Sequence, residues 1–160
     1  MSQLDTSFFK PFIEGAVNTI KVQCSLPATG ESPYIKGTKP DMDIAIAGVI
    51  GITSPKFNGS ITLCFPEKVF LGMMERMLGE PFKEITNDLQ DGVAELLNII
   101  FGHAKVILNA QGHTIQKAIP TIIRGEKIHT TQMSKNKTFV LPFKSELGSF
   151  CIEICSESSM

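Results

Sequence analysis

The chain has 160 residues and a mass of 17.5 kDa, which suffices for one core without disulfide or metal support, so a single domain over 1–160 is the expectation. Apolar residues make up 42% and charged residues 19%, a globular mixture that argues against disorder. Fifteen basic and sixteen acidic side chains leave a formal charge of -1 with no cationic run, which argues against nucleic acid as a partner. The N-terminus, Met1 to Lys10, shows no basic segment followed by an apolar stretch, and apolar runs are interrupted well before the ~18 residues of a membrane span. A cytoplasmic protein without membrane contact is expected.

In chain order, Asp5 is an N-cap candidate for an amphipathic helix in which Phe8, Phe9, Phe12, Ile13, Ala16, Val17 and Ile20 recur at helical spacing until Pro27. Pro27 to Pro40, with three Pro and two Gly, reads as an irregular edge segment. Met42 to Thr53 and Gly59 to Phe65 are β-branched runs joined by a polar turn, and they predict a hairpin. Pro66 then suits the first turn of a helix whose apolar stripe, Val69 to Leu78, stops at Gly79. The methionines in that stripe read as core filling.

A longer helix is predicted from Thr86 or Asn87 to about Asn109, followed by strands over Thr114 to Ile123, Lys137 to Lys144 and Gly148 to Cys155. The second half thus repeats the order of the first, helix then strands. The expected fold class is α+β, a mainly antiparallel sheet with long amphipathic helices packed on it in pseudo-repeated halves. Cys24, Cys64, Cys151 and Cys155 lack Cys-x-x-Cys spacing and sit among apolar neighbours, so they read as reduced packing residues.

Projected at ~100° per residue, the long helix turns Leu89, Val93, Leu96, Leu97, Ile100, Ala104 and Ile107 toward the core. Asp91, Glu95, Asn98 and Gly102 share a sector of about 60° on the opposite face. A solvated surface stripe is the ordinary interpretation, but Asn is a mediocre mid-helix residue and each of Gly92 and Gly102 weakens a helix by about 1 kcal/mol relative to Ala. His103 projects 80–120° away from the stripe, roughly, so an Asp91/Glu95/His103 metal site is not expected. No serine-hydrolase elbow and no Gly-x-Gly-x-x-Gly loop is present.

Asp91-x-x-x-Glu95-x-x-Asn98 resembles the Asp/Ser-x-x-x-Glu-x-x-Asn signature of the CheC/CheX/FliY family of CheY-phosphate phosphatases. Val49 to Ile52, Gly59 to Leu63, Met77 to Gly79, Gly102 to Lys105 and Ile119 to Gly125 resemble the family's flanking segments. The resemblance implies a CheC-like fold and hydrolysis of the aspartyl phosphate of a CheY-like receiver domain. It further implies that Asn98 positions the attacking water and that Glu95 pairs with the receiver's lysine, with Asp91 and Gly102 in the docking surface. Carboxamides suit this work because they donate to and accept from a water without titrating. Mg2+ is then expected on the receiver, and the chain needs no metal of its own. Glu14-x-x-x-Asn18 departs from the Glu-x-x-Asn spacing of two-site members, which favours a single site and the homodimer of CheX-like proteins. The competing reading is a non-catalytic receiver-binding or flagellar-switch interaction module that keeps the helix but not its chemistry.

Overall fold

A computed structural model describes residues 6–55, 58–117, 119–128 and 137–156. The expected cap Asp5 lies outside them, as do Lys56 and Phe57 of the hairpin turn. Helix α1 spans Thr6–Cys24 and is followed by short strands β1 (Ala28–Gly30) and β2 (Tyr34–Ile35). Strands β3 (Ile44–Thr53) and β4 (Asn58–Phe65) form the expected antiparallel hairpin, and α2 (Glu67–Leu78) follows it. Pro66 is the N-cap of α2, and Gly79 ends the helix in the left-handed region at φ 82°, its N–H donating to the Glu75 carbonyl. Then come α3 (Asn87–Ala110), β5 (Gln116–Lys117), β6 (Thr121–Ile128), β7 (Thr138–Ser145) and β8 (Gly148–Ser156).

Among the described residues, eight strands join one antiparallel sheet in the order β1-β7-β8-β4-β3-β5, with β2 also on β7 and β6 also on β3. The two halves are interleaved. The strands that follow α1 flank the second hairpin, those that follow α3 flank the first, and the hairpins meet at β4 and β8. This is the expected α+β class with its repeated order of elements, α2 being an addition to the first half.

The helices cover one sheet face. Period-2 alternation sends Ile46, Ile50, Ile61, Leu63, Phe143, Phe150 and Ile152 toward them, where they meet Phe12, Ile20, Phe70, Leu97 and Ile100. The opposite face carries a smaller buried cluster of Ile44, Ala47, Cys64, Val140 and Cys151, bordered by Tyr34, Met42 and Ile128.

Two expectations need correction. The single strand over Thr114 to Ile123 is broken: Ile52 faces Lys117 but Val49 faces Thr121, so one extra residue intervenes before β6, which runs on to Ile128. Pro120, lacking an N–H, sits at that break. At the end of α3 the core face takes Leu108, leaving Ile107 half-buried, because a stripe stepping by four residues from Ala104 drifts onto Leu108.

Candidate functional site

The stripe on α3 is built by a helix anchored on every side but one. At its start, the Thr86 hydroxyl accepts from the Leu89 N–H at 3.2 Å, satisfying one of the free donors of the first turn. Arg124 of β6 donates to the Ile85 carbonyl and to Asn87 Oδ1, both at 3.2 Å, fastening that end to the sheet edge. Beneath the helix, a Cβ on Gly48 of β3 would stand 2.6 Å from Val93 Cγ1, so glycine lets the helix seat closely on the strand. On the α1 side, a Cβ on Gly15 would lie 3.1 Å from the Ile100 carbonyl oxygen and 3.3 Å from His103 Cδ2. At the far end, Asn109 Oδ1 accepts from the Ile115 N–H at 3.1 Å.

What remains is the outward face. Asp91, Glu95, Asn98 and Gly102 are all exposed there, while Leu89, Val93, Leu96, Leu97, Ile100, Phe101, Ala104 and Leu108 are buried. Among the described residues neither Asp91 nor Glu95 has an ion-pair partner, so both carboxylates face solvent uncompensated. By length and composition alone α3 would suffice to cross a membrane, but its apolar side lies in the core and its other side carries these polar groups. His103 is half-buried against α1, apart from the carboxylates, as its angular position predicts.

One feature was not legible in the sequence. Lys117 Nζ of β5 donates to Asn98 Oδ1 at 2.7 Å. This cation holds the carboxamide oxygen toward the sheet edge, leaving both amide hydrogens and one oxygen lone pair for an incoming group. Only the pairing of β5 with β3 brings Lys117 alongside α3, and no spacing rule marks a lysine nineteen positions after its partner. Gly102, which the sequence already places on the stripe, is open on its outer side: a Cβ there would have nothing within 4 Å among the described residues. Gly48, Gly15 and Gly92 are explained by close packing within the chain, but Gly102 is not. One turn further, Val106 continues the stripe at 72% exposure, adding an apolar end to a polar surface. Glu14 and Asn18 of α1 are also exposed, at the spacing of four that departs from the signature.

The chain matches the family described as chemotaxis phosphatase CheX over residues 46–144, a segment that includes α3 whole. Among curated proteins no match is found. A CheC-like superfamily protein from Shewanella sp. PV-4 superposes with a TM-score of 0.88 at 29% identity, over 97% of this chain and 100% of its own. The chemotaxis protein CheX from Vibrio vulnificus does so with a TM-score of 0.88 at 30% identity, over 95% of this chain and 100% of its own. A CheX-CheY-BeF3-Mg2+ complex from Borrelia burgdorferi shares the fold, with a TM-score of 0.73 at 19% identity over 94% of this chain and 98% of that one. A family match over more than half of the chain, joined to a 30% identical relative along nearly all of it, makes this protein a member of the CheX family of chemotaxis phosphatases.

Proposed function

We propose that the protein hydrolyses the aspartyl phosphate of a CheY-like receiver domain, acting in the cytoplasm, with the exposed stripe of α3 as the face that enters the receiver's active site. The observation that carries this reading is the outward grouping of Asp91, Glu95, Asn98 and Gly102 on one firmly seated helix of a CheX-family chain. An aspartyl phosphate is already activated, so catalysis reduces to setting a water in line with phosphorus and screening charge. Asn98 orients that water through its amide group, and Lys117 keeps the carboxamide turned for the task. Glu95 pairs with a receiver lysine and fixes the register of the two proteins, Asp91 supports docking one turn earlier, and Gly102 admits the receiver surface. The complex from Borrelia burgdorferi contains CheY, BeF3 and Mg2+, which fits a division of labour in which the receiver holds the metal. A homodimer of this chain belongs to the same proposal, and sedimentation equilibrium tests it.

The test is the decay of a phosphorylated receiver alone, with the wild-type chain, with Asn98→Ala and with Glu95→Ala, alongside a binding measurement. Accelerated decay that Asn98→Ala abolishes while binding persists, and that Glu95→Ala weakens through binding, is the expected result. Unaccelerated decay with intact binding favours the interaction module instead.

A further inference from the structure

On the sheet face turned away from the helices, β4 and β8 place Cys64 directly opposite Cys151, and the next same-face pair is Thr62 opposite Glu153. The two Sγ atoms and a Glu153 carboxylate oxygen all lie within 4.8 Å of one another, and all three residues are buried. Lys36 stands beside them, its Nζ 3.0 Å from one Glu153 oxygen and donating to the other at 3.2 Å. Thr62 Oγ1 is buried with no hydrogen-bond partner among the described residues, an unsatisfied polar atom at the same position on the sheet. A cavity of about 30 Å³ opens beside the group, lined by Tyr34, Lys36, Ile44, Cys64, Cys151 and Glu153.

We infer that Cys64, Cys151 and Glu153 form a binding site for a thiophilic divalent metal ion, Zn2+ in the first instance, at the centre of the outer sheet face. A tetrahedral Zn2+ with sulfur at ~2.3 Å and oxygen at ~2.1 Å needs donors separated by roughly 3.5 Å, within reach of small side-chain adjustments here. The cavity has room for one water as fourth ligand. Two thiolates and a carboxylate around a divalent ion leave one negative charge, which faces the Lys36 ammonium, with the Asp41 carboxylate also lining the cavity. Lys36 further orients the carboxylate, as outer partners of metal ligands commonly do. A bound ion would clip β4, from the first half of the chain, to β8, from the second.

The two cysteines are 87 residues apart in sequence, which is why spacing rules for zinc motifs pass over them. The test uses the intact chain, reduced and stripped with chelator, titrated with Co2+ and then with Zn2+. Expected are a thiolate-to-cobalt charge-transfer band saturating at one ion per chain, displacement of cobalt by Zn2+, and a higher melting temperature in the loaded protein. Cys64→Ser and Cys151→Ser should each abolish the band, Glu153→Gln should weaken affinity at least tenfold, and Cys24→Ser should leave the band intact. Absence of a stoichiometric band in the wild type overturns the inference, as does a band that survives both cysteine changes or disappears with Cys24→Ser. Should either site variant fail to fold by circular dichroism, the wild-type titration and the Cys24→Ser control decide the matter.

Discussion

Gly102→Ala separates stability from function more cleanly than any other change on α3. Glycine in a helix interior is about 1 kcal/mol less favourable than alanine. Here nothing among the described residues offsets that deficit, since an added Cβ meets none of their atoms within 4 Å and the position is solvent-exposed. Alanine should therefore stabilise the fold by up to about 1 kcal/mol. For a chain of 160 residues, with an unfolding entropy near 2.1 cal/mol/K per residue, that is a rise of about 3 °C in Tm. If the open space is reserved for a partner's surface, the same methyl should weaken receiver binding and slow dephosphorylation several-fold. Paired thermal melts and phosphoreceiver decay assays measure both quantities on one preparation. A variant that is more stable and fully active would refute the view that this glycine serves docking, and one that is less stable would refute the packing argument itself.

Gly48→Ala should act in the opposite sense, because its Cβ would meet the stiff Val93 side chain at 2.6 Å; a loss of about 1–3 kcal/mol, read as a lower urea midpoint, is expected, with activity falling as α3 is lifted. Lys117→Met should leave the melting temperature within about 1 °C, since exposed polar contacts of this kind contribute little, yet reduce the dephosphorylation rate about fivefold, roughly 1 kcal/mol of transition-state positioning, at unchanged receiver affinity. Burial, opposed in part by Arg76, pushes the Cys24 thiol up to about 11 from 9.0. The folded state therefore keeps a proton that the unfolded chain releases, so stability is intact below about pH 9 and falls as pH rises toward 11. Urea midpoints at about pH 8 and about pH 10.5 should drop more in the wild type than in Cys24→Ala.

The helices were legible because burial imposes a period on them. α3 keeps its apolar residues on one side for six turns, and that regularity exposes the opposite side, with Asp91, Glu95, Asn98 and Gly102, as a unit. The hairpins were legible for the same reason at period 2. Short edge strands escape such reading: β1, β2 and β5 have three residues or fewer, their residues are mostly exposed or half-buried, and their pairing partners lie far along the chain. Everything that depends on those pairings was therefore hidden, including the contact of Lys117 with Asn98. Arg124 lies within a segment marked by family resemblance, but its hold on Ile85 and Asn87 is a product of the β6 edge and not of local sequence.

The interleaving of the halves explains why the stripe on α3 is so firmly placed. α3 belongs by sequence to the second half, yet it sits on β3 of the first through Gly48 and Val93, and its two cationic anchors, Lys117 and Arg124, are presented by strands that are themselves paired to β3. Helix, anchors and supporting strand thus move together. Because β5 and β6 complete the first hairpin while β1 and β2 complete the second, loosening either hairpin strips edge strands from the other half's sequence. The proposed role of Asn98, orienting a water against phosphorus, requires errors well below 1 Å at that amide, since misplacement on that scale costs about 10²-fold in rate. Strand exchange supplies that precision by making the position of Asn98 a property of the whole sheet, so mutations on β3 far from the stripe should slow catalysis before they unfold the chain.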